Sequence, residues 1–267
     1  MKIPPALSAL ALLATAAAAE PATSKPMLSS AERLQRFHQR IADYQSSKDT
    51  SPLLICAFGD SVTQGWMENE KLDPANVYHA LVAGDLRAAH PHLIVNTLNA
   101  GIGGQTMAGS LDRLERDVIR HQPDLVLIGF GLNDSSMGLE GVEAFKRDLR
   151  AGVERIARET QAAVVLLTPN QMCYEESDRI PGAWHHVFEA LRERQVSGVL
   201  AAYDNAIREV GAETGALVAD VYAEWERRRT AGKNTDAMLA NGLNHPTREG
   251  HRLAADQISR VIAPPAP

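Results

Sequence analysis

The sequence predicts a single-domain α/β protein in three layers, a five-stranded parallel sheet between two layers of helices. Three observations carry the prediction. Apolar runs without polar alternation, of which Leu53 to Phe58 is the clearest, suit strands covered on both faces. Such runs alternate along the chain with stretches of helical periodicity, the pattern of strand–helix crossovers in a parallel sheet. The length of 267 residues, 45% hydrophobic and 22% charged, suits one sizeable core.

The elements follow in order. Residues 1–19 read as a secretory signal peptide: Lys2, an Ala/Leu stretch from about Ala6 to Leu13 too short to span a bilayer, and small residues Ala17 and Ala19 at the expected cleavage point. The mature protein is expected to be exported, periplasmic or extracellular, with residues 20–28 as a short tether and 29–267 as the catalytic-size domain. Ser29-x-x-Glu32 fits a capping box, and Leu34, Phe37, Ile41 and Tyr44 then recur at helical spacing. Strands are expected at 53–59, 93–98, 125–130, 164–167 and 217–221. Helices are marked by Met107, Leu111, Leu114 and Val118, by Val142, Phe145, Leu149 and Ile156, and by Leu200, Tyr203, Ile207 and Val210, with Leu253, Ile258 and Val261 closing the chain.

Charge excludes some functions. With 27 basic and 33 acidic residues the chain carries a net charge of −6, no footprint for nucleic acid or for an anionic membrane. No stable membrane association is expected once the signal peptide is removed. Of the two cysteines, Cys56 falls inside the first strand and Cys173 beyond the fourth, which favours two buried free thiols. No His/Cys cluster suggests a metal, and no cofactor is expected.

Chemistry-bearing residues follow each of the first three strands: Gly59-Asp60-Ser61, then Asn99 to Thr106 with Gly101, Gly103 and Gly104, then Gly131-Leu132-Asn133-Asp134. In a parallel sheet all three lie at one edge, the edge where ligands of open α/β sheets bind. A serine, a glycine-rich turn with accessible N–H groups and an asparagine amide are a nucleophile and the donors an acyl-transfer oxyanion requires. His245, in a loop before the last helix, supplies a base.

These residues resemble the SGNH or GDSL hydrolases, esterases and lipases with a flavodoxin-like sheet. Four blocks agree in order over residues 59–247. The resemblance implies Ser61 as nucleophile and His245 as base, with Ser61, Gly104 and Asn133 forming the oxyanion hole. One position departs. The family's aspartate three residues before the histidine is here Gly242, so the third member stays open between Asn241, Asp236 and a Ser61–His245 dyad held by a backbone carbonyl.

The function expected is a serine ester hydrolase working through an acyl-enzyme on a small-molecule or glycan ester, with O-acetyl esters of carbohydrates foremost. Alternatives are a lysophospholipase- or thioesterase-type lipolytic enzyme and a non-catalytic carbohydrate-binding descendant of the fold. A mononucleotide binder fits less well, because Gly101-x-Gly103-Gly104 is a poor phosphate fingerprint and leaves Ser61 and His245 unexplained. Trp66 and Met67, with Asn170, Gln171 and Tyr174, are candidate substrate walls.

Overall fold

A computed structural model describes residues 28–67 and 71–264. The expected signal peptide and all but the last residue of the expected tether lie outside them. Five parallel strands, β1 (Leu53–Gly59), β2 (Val95–Gly101), β3 (Leu125–Gly129), β4 (Ala163–Leu167) and β5 (Leu217–Ala219), form one sheet in the order β2-β1-β3-β4-β5. All strand C-termini therefore open on the same edge.

Side chains of successive strand residues point to opposite faces, and the core divides accordingly. Ile55, Ala57, Leu125, Leu127 and Val165 pack on one face with α1 (Ser30–Gln45), α3 (Tyr78–Ala89) and α10 (Arg248–Ile262). Cys56, Phe58, Val126, Ile128 and Leu166 pack on the other with α6 (Val142–Glu159) and α8 (Val199–Thr214). Both cysteines are free and buried. The capping box forms: Ser29 Oγ accepts from the Glu32 N–H, while Glu32 accepts from the Ser29 N–H at 2.7 Å.

Three expectations shift. Strand β2 begins at Val95 rather than Leu93 and continues through Gly101, because its ladder with β1 persists to the Gly59–Gly101 pair. The helix expected from Met107 to Val118 is broken into α4 (Met107–Ser110), a 3₁₀ turn and α5 (Leu114–Asp117). The fifth strand ends at Ala219, since Asp220 caps α9 (Val221–Thr230) by accepting from the Ala223 N–H. Two helices lacked a clear apolar stripe, α3 and α7 (Phe188–Val196). Among the described residues no helix is long and apolar enough to cross a membrane.

Candidate active site

The serine follows a turn that the sequence builds tightly. Asp60 caps the one-turn helix α2 (Ser61–Gln64), its Oδ1 accepting from the Val62 N–H at 2.9 Å. A Cβ on Gly59 would meet the Gly129 carbonyl oxygen at 2.5 Å, and one on Gly101 would meet the Gln64 backbone nitrogen at 2.2 Å, so glycine lets α2 sit directly on the strand ends. Ser61, 9% exposed, projects at this edge.

His245 arrives from the loop between α9 and α10 and places Nε2 3.0 Å from Ser61 Oγ. Although 184 residues apart in sequence, the two expected partners are in hydrogen-bonding contact. The histidine loop is held by Asn241, whose Oδ1 accepts from three backbone N–H groups, those of Leu243 (3.0 Å), Asn244 (3.0 Å) and His245 itself (2.9 Å). Its amide donates to Asn244 Oδ1, and Asn170 from the β4 loop donates to the Asn244 carbonyl at 2.9 Å. Gly242 turns this loop at φ 67°. Asp236 has other work: its carboxylate accepts from the Tyr174 and Glu175 N–H groups and fixes the loop after β4. Burial raises its pKa, against those two hydrogen bonds.

The expected oxyanion donors Gly104 and Asn133 lie on the loops after β2 and β3, at the sheet edge that carries Ser61. Gly104 adopts φ 76°, a left-handed conformation that suits glycine. Asn133 Nδ2 donates to the Gln105 carbonyl at 3.0 Å and, at a longer 3.3 Å, to Asp60 Oδ2. Asp60 thus links the start of α2 to the Asn133 amide. Burial is the main cause raising its pKa to about 7, with the Asp134 charge adding to it and the Val62 N–H opposing. Asp134, raised by burial to about 6, braces the same edge by accepting from the Met107 and Gly131 N–H groups at 2.8 and 3.0 Å.

Sequence reasoning missed several supporting groups. Buried Arg113 donates to the carbonyls of Ala100 (2.7 Å) and Gly59 (3.0 Å), tying the ends of β2 and β1 together beneath the serine turn. Gln64 Oε1 accepts both the Gly103 N–H and the Trp66 indole N–H at 2.9 Å. A cavity of about 40 Å³ is lined in part by Asp60, Val62, Leu132, Pro246 and His251, and neither Ser61 nor His245 lines it. Neither Arg113 nor Gln64 had a signal in the sequence, because the Ala100 and Gly59 carbonyls and the Gly103 N–H reach them only by folding. Among the described residues no group of histidine, cysteine and acidic side chains could hold a metal ion. Of the expected walls, Trp66 lies beside the serine turn, whereas Met67, Asn170 and Gln171 are buried.

A parallel sheet presenting a hydrogen-bonded serine and histidine among amide donors defines an α/β hydrolytic enzyme. The chain belongs to the GDSL-like lipase/acylhydrolase family, whose model matches residues 57–253. It is 27% identical over 194 residues to an acetylxylan esterase of Geobacillus stearothermophilus, covering 69% of this chain and 80% of that one. It is 26% identical over 227 residues to an uncharacterized lipoprotein, YqeF, of Bacillus subtilis strain 168, covering 76% and 87%. Among solved structures it resembles a lipase/acylhydrolase from Enterococcus faecalis (TM-score 0.61, 28% identity, 78% of this chain and 94% of that one). The fold is also that of an acetylxylan esterase from Geobacillus stearothermophilus (TM-score 0.62, 24% identity, 80% and 95%). The protein is a carboxylic ester hydrolase of the GDSL type.

Proposed function

We propose that this chain is an exported serine esterase that removes small acyl groups, with O-acetyl esters of carbohydrates as the substrate class. The observation that carries the reading is the 3.0 Å contact between His245 Nε2 and Ser61 Oγ. In this mechanism His245 Nε2 takes the Ser61 proton as Oγ attacks the ester carbonyl. The carbonyl π electrons move to oxygen, and the N–H groups of Ser61 and Gly104 and the Asn133 amide stabilise the oxyanion. The intermediate collapses, the C–O bond to the alcohol breaks, and the departing oxygen takes the proton from His245. Water then attacks the acyl-enzyme with His245 again accepting a proton, releasing the carboxylic acid and restoring Ser61.

The Asn133 contact with Asp60, at 3.3 Å, is the weaker of its two, so that proton is the one an oxyanion would share. Asn241 acts as a positioning residue in this reading, holding the backbone of the loop that carries His245. The acetylxylan esterase likeness supports the acetyl-carbohydrate assignment, and Ala17-x-Ala19 in the leader-like segment supports export. Hydrolysis of p-nitrophenyl acetate and of acetylated xylo-oligosaccharides by the purified mature protein tests the reading. Turnover of both, abolished in Ser61→Ala, is expected. Ser61→Ala retaining wild-type rates would sink it.

A further inference from the structure

Glycine is the poorest helix former after proline, yet it stands third in α10, where the backbone is ordinary helix and asks for no glycine. The reason lies in its neighbours. A Cβ on Gly250 would stand 2.6 Å from Pro246 Cβ, 3.1 Å from Trp225 Cζ2 and 3.5 Å from the Met238 carbonyl oxygen. The first of these is closer than Cβ atoms approach other groups, so Pro246 lies against the first turn of α10 only because residue 250 has no side chain. Trp225 is fully buried, which leaves Pro246 as the partner that would have to yield.

Pro246 is bonded to the proposed base, and its ring cannot turn aside. The pyrrolidine fixes φ, so its Cβ moves only with the backbone. That backbone is tied on both sides: the Ala240 N–H donates to the His245 carbonyl at 2.7 Å and the Thr247 N–H to the Met238 carbonyl at 2.8 Å, bridging Pro246 to Leu239. Thr247 then caps α10, its Oγ1 accepting from the Gly250 N–H at 3.4 Å. A residue just ahead of a cap that packs on the first turn sets the angle at which the chain enters a helix. Here that chain carries His245, whose Nε2 lies 3.0 Å from Ser61 Oγ.

We infer that Gly250 is a positioning residue for the reaction: its lack of a side chain seats Pro246 on α10 and so sets the reach of His245 toward Ser61. The inference rests on the serine-esterase reading above. Opening the contact from 2.6 Å to an ordinary 3.4 Å moves Pro246 by about 0.8 Å. A misplacement of about an ångström at reacting groups costs roughly 10²-fold, which sets the size of effect to look for.

The test measures kcat and KM on p-nitrophenyl acetate for wild type, Gly250→Ala, Pro246→Gly, the double variant, Gly84→Ala and Ser61→Ala. Gly250→Ala should lose roughly 10- to 100-fold in kcat, with KM within about twofold of wild type, because the base moves and the ester-binding groups do not. Pro246→Gly takes away the colliding carbon, so adding Gly250→Ala to it should cost no further kcat, a non-additivity that general damage to the helix would not produce. Gly84 in α3 has nothing within 4 Å of its Cβ position, and Gly84→Ala should keep the wild-type kcat. Wild-type kcat in Gly250→Ala overturns the inference. So does a double variant that falls below Pro246→Gly by the same factor that separates Gly250→Ala from wild type. If Gly250→Ala does not fold, the double variant compared with Pro246→Gly alone decides in the same way. Either failure with activity still dependent on Ser61 leaves the esterase reading standing, whereas Ser61→Ala at wild-type rates overturns both.

Discussion

Asp60 shows how much one side chain carries at this edge. Its two oxygens divide between the Val62 N–H and the Asn133 amide, so the same carboxyl sets the start of α2 and the orientation of a proposed oxyanion donor. A protonated Asp60 would weaken both contacts, and burial brings that event to about pH 7. Asp60→Asn keeps a capping oxygen, and asparagine is as good a cap as aspartate. What it loses is the negative charge facing Asn133. The expected result is a kcat reduced toward the roughly 10²- to 10³-fold seen when an oxyanion donor is removed, with KM little changed. Steady-state kinetics on an acetyl ester checks this against Asn133→Ala, and an Asp60→Asn enzyme at wild-type kcat would show that Asn133 is oriented by the Gln105 carbonyl alone.

At the level of elements, the strands were legible because burial on both faces writes itself as uninterrupted apolar runs, as at Leu53–Phe58 and Leu125–Ile128. Helices α3 and α7 were not, because neither carries a continuous apolar stripe: α3 buries polar His79 and α7 buries Gln195, whose amide oxygen accepts from the Met172 N–H. The four blocks at the sheet edge were legible as a resemblance, but the histidine's support was not. Asn241 holds its loop through three backbone hydrogen bonds, an arrangement invisible to residue spacing because the turn from Asn241 to His245 must form first. Asn241→Asp preserves an acceptor for all three N–H groups, whereas Asn241→Ala removes it. The alanine variant should lose tenfold or more in kcat through displacement of His245, consistent with about 10²-fold for an ångström of misplacement, and the aspartate should rescue most of it. Equal kinetics for wild type and the alanine variant would remove Asn241 from the positioning of the base.

Across the whole molecule, two buried histidines and three buried carboxyls make opposite demands on pH. Burial lowers His79 to about 4 and His251 to about 3, so the folded protein keeps them neutral while the unfolded chain takes up protons below about pH 6.5. Their contribution is present in full above that pH and is lost as pH falls toward 4. Asp60, Asp134 and Asp204 run the other way. Burial raises them to about 7, 6 and 7, so their folded forms hold protons that the unfolded chain has released above about pH 4, and their contribution is lost as pH rises toward 7. The two sets overlap between about pH 4 and 6.5 and partly cancel, which predicts a shallow dependence of Tm on pH in that window. His251 is the group to remove, being fully buried against Tyr78 at 6.2 Å between ring centres, with neither ring nitrogen hydrogen-bonded among the described residues. Replacing an unsatisfied buried polar ring with an apolar side chain of similar size is close to neutral at neutral pH. His251→Leu should therefore unfold near the wild-type Tm at pH 7.5 and above it at pH 4.5, where the wild type alone must keep this ring unprotonated. Calorimetric curves for the two proteins that stay parallel across that range would show that His251 takes up its proton in the folded state.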